Sequence, residues 1–207
     1  MKFYFDGDSF TKGDELIDQT EYRFSRLISD HYKTQEYNFS DNGSCNSAIV
    51  RRLVVENNIK EYDLAVIQMS LPVRMEYYNG KKYKNLREKD FMEWKRFYLK
   101  HVYHDTFGND YEYLYYRAIK DHCGINNVPL VITTNRSYKM YHIDFSRKKY
   151  KHKHLPSDKR TNFDLYLDSR KYPRAKKGHP NREGHRMIAD DLIGIIDKLF
   201  SKFILTD

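Results

Sequence analysis

The stretch FYFDGDSFTKGDEL, residues 3–16, decides the fold. Its apolar start reads as a buried β-strand, and the Gly-Asp-Ser that follows reads as a tight turn. In an open α/β sheet, ligands bind at the carboxyl ends of the strands. The turn therefore places Ser9, and Asp6 just before it, where chemistry is done. The tripeptide alone does not separate a nucleophile from a polar turn, because Asp-Gly and Asp-Ser pairs are ordinary turn chemistry.

Working outward, the spacing predicts three further buried strands at 34–39, 63–68 and 128–133. Between them lie helical patterns at 20–32, 46–57 and 110–122, and a last one at about 182–203. In the last, Ile188, Leu192, Ile195, Leu199 and Phe203 share one stripe. Strands alternating with helices imply right-handed crossovers and a mostly parallel sheet covered on both faces. The expected fold is a three-layer α/β/α flavodoxin-like sandwich, formed by residues 1–207 as a single domain. The 69–127 stretch is longer than one crossover helix needs, so it is expected to build a rim or lid beside the site. Within 135–178 only a strand near 139–144 is expected.

Composition sets the outer limits. A chain of 207 residues with 40% hydrophobic and 32% charged residues suits one medium globular domain. No apolar run approaches a membrane span, and a first strand starting at residue 2 or 3 leaves no room for a signal peptide. Cys45 and Cys123 stand at no metal-ligand spacing and suit a reducing compartment. The expectation is a cytoplasmic protein. Much of the net charge of +8 lies in SRKKYKHKH (146–154) and RKYPRAKK (170–177). Such a region is either a solvated lysine-rich surface or a contact for an anionic polymer.

A serine nucleophile needs a base within hydrogen-bond reach, usually a histidine. KKGHPNREGHRMIADDL, residues 176–192, offers one in His179. Pro180 stiffens the turn after it, and Asn181 is suited to cap the last helix. An imidazole held in this way at the rim of the sheet is what a general base requires. His185, six residues on, falls within the helix and reads as a packing or capping residue.

Together these segments resemble the SGNH, or GDSL-type, hydrolases. GDSFTKG (7–13) resembles the block that carries the nucleophile. NGSCNSAI (42–49) resembles the block whose glycine lends an N–H to the oxyanion hole, and GHPNREGH (178–185) resembles the block with the catalytic histidine. The resemblance implies a serine esterase acting on a small acyl group, expected to be acetyl, on a carbohydrate or related polyol. Ser9 and His179 would be catalytic. The N–H groups of Ser9 and Gly43 would form the oxyanion hole, assisted by Ser70 or Asn46. No metal or organic cofactor is implied.

Two segments depart from the family pattern. Where a Gly-x-Asn is expected after the third strand, the chain has VIQMSLPVRMEYY (66–78), similar to phage-encoded members. Gln68 and Ser70 take the expected positions and an Arg-x-Glu follows. Here Ser70 could donate a hydrogen bond or Arg74 supply charge, with Asp8, Arg74 and Glu76 as candidates for substrate binding; alternatively, Arg74 and Glu76 form a surface ion pair. The second departure is Lys176, at the place of the aspartate that orients the histidine. A lysine cannot accept the Nδ1–H. Either a backbone carbonyl does so, or Asp164 or Asp168 reaches in.

Two other readings stay open. A strand followed by Asp-x-Asp also suggests a Mg²⁺-dependent phosphatase with Asp6 as nucleophile, Thr133 or Thr134 as a later motif, and Asp190 and Asp191 as acids. Alternatively, Lys176 marks lost catalysis, and the chain is a binding module that holds an anionic polymer through 146–177.

Overall fold

Alternation along the first strand sets the two faces of the sheet. In the computed structural model, which describes residues 1–85, 97–134, 164–166 and 172–204, β1 spans Lys2–Asp6. Phe3 and Phe5 enter one apolar cluster and Tyr4 the other, as the two-residue period of a strand requires. Each fully buried aromatic of this kind contributes roughly 1.5–3 kcal/mol relative to exposure.

Five strands form the main sheet: β1, β2 (Gln35–Asn38), β3 (Leu64–Met69), β6 (Leu130–Thr134) and β7 (Asp164–Tyr166). Their order is β2-β1-β3-β6-β7, and every neighbouring pair is parallel. The four expected strands are present within two residues of their predicted ends. β7 was not expected, and the strand expected near 139–144 lies outside the described residues. Strands β4 (Glu76–Tyr78) and β5 (Tyr83–Asn85) pair as an antiparallel hairpin inside the 69–127 stretch.

Helices cover both faces. Phe24 and Ile28 of α3 (Phe24–His31) pack with Ile188, Leu192 and Ile196 of α6 (Arg182–Ile204) over Phe3, Phe5, Leu64 and Val66. On the opposite face, Ile49 of α4 (Asn46–Arg51), Leu53 in the π-helical turn that follows, and Ile119 and Cys123 of α5 (Asp105–Ile125) cover Tyr4, Ala65 and Ile67. The helix expected at 20–32 is instead two, α2 (Gln19–Tyr22) and α3. The break is Arg23, whose extended backbone (φ −68°, ψ 146°) ends one helix and starts the next. Its guanidinium forks onto Glu36 of β2 at 2.8 and 2.9 Å, so a tertiary ion pair overrides local helical periodicity. Among the described residues no helix is long and apolar enough to cross a membrane.

The strand order reverses direction at β1: β2 lies to one side and β3 to the other. The carboxyl ends of β1, β2 and β3 therefore open onto the crevice expected at such a switch point.

Candidate active site

The turn after β1 is built around Gly7. A Cβ there would lie 2.3 Å from Thr11 Oγ1 and 2.9 Å from Gln68 Cβ, so only glycine lets the chain pass this closely. Asp8 then caps the single-turn helix α1 (Ser9–Lys12) by accepting from the Phe10 N–H at 3.0 Å. Ser9 is thus the first residue of a helix, with its N–H outside the helical ladder. It is 4% exposed.

His179 arrives on a tight loop before α6. Ala175 N–H donates to His179 O at 2.8 Å and Asn181 N–H to Pro173 O at 2.9 Å. Asn181 caps α6 as expected, its Oδ1 accepting from the Gly184 N–H at 2.9 Å. The loop places His179 Nε2 3.0 Å from Ser9 Oγ, across 170 residues of sequence.

The other ring nitrogen meets a residue that the sequence reading did not single out. His179 Nδ1 lies 2.8 Å from Glu15 Oε2. The same carboxylate accepts from the His179 N–H at 3.1 Å and the Lys177 N–H at 2.7 Å. Partial burial works against ionisation of Glu15, but these three hydrogen bonds prevail and hold its pKa below the ordinary carboxylate value. Glu15 reaches His179 because α1 stops after four residues at Gly13 in the left-handed region (φ 83°), and Glu15 itself has φ 69°. A left-handed non-glycine residue costs on the order of 1–2 kcal/mol, which charge-assisted hydrogen bonds can offset. The signal in the sequence was the acidic pair straight after Lys12-Gly13, with the helix length needed to read it. Asp14 Oδ2 stands 3.8 Å from His179 Nε2.

The partner of Nδ1 is thus a residue other than those expected. The Lys176 carbonyl is not the Nδ1 partner, and the Lys176 side chain is exposed. Asp164 opens β7, paired with Ile132, while its side chain and Asp168 lie outside the described residues. The position on Nδ1 is filled from the serine side of the crevice, by Glu15.

Four groups converge beside Ser9. Arg74 Nη1 donates to Asp8 Oδ2 at 2.7 Å, to the Ser70 hydroxyl at 2.8 Å and to the Ser44 carbonyl at 3.4 Å. Ser70 Oγ–H donates to Asp8 Oδ2 at 3.3 Å, and Gln68 Nε2 to Asp8 Oδ1 at 3.2 Å. Gln68 Oε1 accepts from Thr11 Oγ1 at 2.5 Å. This network engages both residues expected to assist the oxyanion hole. The Ser70 proton is directed at Asp8 rather than into a vacant hole. The Asn46 amide is bound both ways to the Ser70 backbone, accepting from its N–H at 2.7 Å and donating to its carbonyl at 3.1 Å. Asn46 therefore fixes the end of β3 through its Oδ1 and one of its two amide N–H groups. Gly43 has φ 74°, which suits glycine. Among the described residues, neither the Ser9 nor the Gly43 N–H has a protein acceptor.

Glu76 stands apart from this cluster. It is held by Arg51, at 3.3 and 2.9 Å, and Arg74 by Asp8, so the Arg74–Glu76 ion pair of the alternative reading does not form. A groove of about 720 Å³, lined by Tyr22, Leu27, Asp30, Arg182 and Arg186, lies near the start of α6 but includes neither Ser9 nor His179.

The phosphatase reading fails on the surroundings of Asp6. Its side chain is fully buried, with Arg52 forked onto it at 2.6 and 2.9 Å, Tyr4 OH at 3.2 Å and the Gly7 N–H at 2.7 Å. Burial pushes its pKa up against the pull of Arg52. A carboxylate enclosed in this way has no open face for attack on phosphorus. Asp190 and Asp191 lie on the exposed side of α6. Of the basic segments, 146–154 lies outside the described residues, whereas Arg174, Lys176 and Lys177 are exposed.

Comparison with solved structures places this architecture. An esterase from Pseudoalteromonas sp., EstA, superposes with a TM-score of 0.58 at 15% identity, covering 97% of this chain and 98% of its own. The fold is that of the SGNH hydrolases. A protein assigned to the G-D-S-L lipolytic family of Desulfitobacterium hafniense DCB-2 matches at TM-score 0.55 and 14% identity, over 94% of this chain and 98% of its own. CEX, a two-domain esterase active on acetylated mannans, matches at TM-score 0.55 and 15% identity, over 96% of this chain and 49% of its own. No protein-family model and no curated protein sequence matches the chain. The likeness is one of SGNH fold, carried at low sequence identity.

Proposed function

We propose that this protein is a serine ester hydrolase, with Ser9 as nucleophile and His179 as general base. The observation that carries the reading is the 3.0 Å approach of His179 Nε2 to Ser9 Oγ, within the range a general base needs. Ser9 Oγ attacks the ester carbonyl carbon while His179 Nε2 takes its proton. The Ser9 and Gly43 N–H groups receive the negative charge that develops on the carbonyl oxygen. His179 then returns the proton to the departing alcohol, and water releases the acyl group by the same steps. Written this way, the reaction uses no metal or organic cofactor.

A small acyl group, acetyl first, on a carbohydrate is the substrate class proposed. It is supported by the activity of CEX on acetylated mannans and by the resemblance of the three sequence blocks. The test is a fluorophosphonate probe together with turnover of acetylated oligosaccharides and an aryl acetate. Labelling of the wild type and its absence in Ser9→Ala are expected. An unlabelled wild type across pH 6–9 would count decisively against the proposal.

A further inference from the structure

We infer that Glu15 is the positioning carboxylate of the Ser9–His179 pair, so that nucleophile and orienting acid both come from the segment after β1 and only the base comes from the loop that leads into α6. The inference rests on the esterase reading for its catalytic consequence, but its structural part stands on geometry.

Three observations converge on Glu15. Its carboxylate faces His179 Nδ1 at 2.8 Å while Nε2 faces Ser9 Oγ at 3.0 Å. An ionised carboxylate only accepts hydrogen bonds, so Nδ1 carries the ring proton and Nε2 presents its lone pair to the Ser9 hydroxyl. That tautomer is the one a base for Ser9 must have. Second, the Glu15 carboxylate also holds the His179 and Lys177 N–H groups. It therefore fixes the loop backbone as well as the ring. Third, its side chain is 10% exposed, so bulk water competes little for it.

This arrangement accounts for Lys176. With the acid supplied from across the crevice, the position three residues before His179 is released from that duty and faces solvent. The groups facing the His179 ring are Glu15 on Nδ1, Ser9 and the more distant Asp14 on Nε2, and the Phe10 ring at 5.5 Å between centroids.

Glu15→Gln and Glu15→Asp test the inference in the full-length chain. In Glu15→Gln the amide can present an N–H to Nδ1 and so favour the wrong tautomer. The fall expected in kcat is about 10²–10⁴-fold, by analogy with the loss of an orienting carboxylate in serine proteases, with KM changed far less. Glu15→Asp keeps the charge but is one methylene short, and should recover part of that loss. The second readout is ¹⁵N NMR of the imidazole, which reports the tautomer without any substrate. His179 should show the Nδ1–H form in the wild type and lose it in Glu15→Gln. Wild-type kcat and an unchanged tautomer in Glu15→Gln would overturn the inference and leave the esterase reading intact. A wild type that no probe labels would overturn the esterase reading, and the NMR comparison would still decide whether Glu15 sets the tautomer. Thermal melts identify a variant that has merely unfolded, in which case the Asp variant decides.

Discussion

Arg74 Nη1 and Asp8 Oδ2 stand 2.7 Å apart, one residue before the nucleophile, and Asp8 is almost wholly buried. The pair ties the loop after β3 to the turn after β1. Removing the cation leaves a buried carboxylate with the Phe10 N–H, Gln68 and Ser70 as its donors among the described residues. Arg74→Ala should therefore destabilise the fold by about 2–4 kcal/mol, somewhat under the usual loss for a broken buried pair because those donors remain. Urea unfolding measures it. A change within 0.5 kcal/mol, a figure typical of neutral surface substitutions at roughly that size, would show that the contact is not holding the turn.

Gly184 offers a way to displace His179 without touching it. A Cβ at this position would lie 2.3 Å from the Pro173 carbonyl oxygen, which is backbone and cannot rotate away. Gly184→Ala should push the 173–181 loop off the start of α6. Ester turnover should drop by at least tenfold, while the cost in stability stays near 1–3 kcal/mol, as for other overpacked sites. Full activity in a folded Gly184→Ala protein would mean that the loop tolerates displacement.

Asp6 and Ser9 make opposite demands. Asp6→Asn breaks the fork with Arg52 and should cost about 3 kcal/mol, yet the molecules that remain folded should turn over ester normally. Ser9→Ala should leave stability nearly unchanged and lower kcat by roughly four or more orders of magnitude. The reverse pattern, an active Ser9→Ala and an inactive, folded Asp6→Asn, would make Asp6 the nucleophile.

His185 gives the fold an acid-side weakness. It is completely buried against Phe24, its Nδ1 accepts from the Phe24 N–H at 3.1 Å, and its Nε2 has no partner among the described residues. Burial, with a smaller push from His179, lowers its pKa from 6.5 to about 4. Above pH 6.5 neither folded nor unfolded chain protonates this ring, and the difference vanishes. Between 6.5 and 4 the unfolded chain takes up the proton first, so stability falls as pH falls, by an upper limit of about 3 kcal/mol. His185→Gln keeps an acceptor for Phe24 and should flatten the pH dependence of urea unfolding across that window. Identical slopes in the two proteins would refute the assignment.

Much of the fold was legible because β1, β3 and β6 are buried on both faces, and such strands announce themselves as short apolar runs. The serine and histidine turns were legible for a similar reason: glycine, proline and an asparagine cap mark them locally. What stayed hidden was decided by contacts distant in sequence. Arg23 splits a helix that periodicity reads as continuous, because its partner Glu36 lies on a strand. Glu15 was invisible because a glutamate after a helix is unremarkable until the helix is known to end after one turn. The link between Asn46 and the Ser70 backbone was hidden for the same reason, since 24 residues separate them.

The order of the parts along the chain has a consequence for its synthesis. Residues 2–15 leave the ribosome well before His179 and the α6 face that covers Phe3 and Phe5. The nucleophile's strand must wait, with one apolar face uncovered, until the residues of α6 have been made. A nascent chain stalled before residue 173 would hold Ser9 without its base and expose that face to other chains, a known route to aggregation. Catalytic competence thus coincides with completion of the core, and a prematurely terminated product is both inert and sticky.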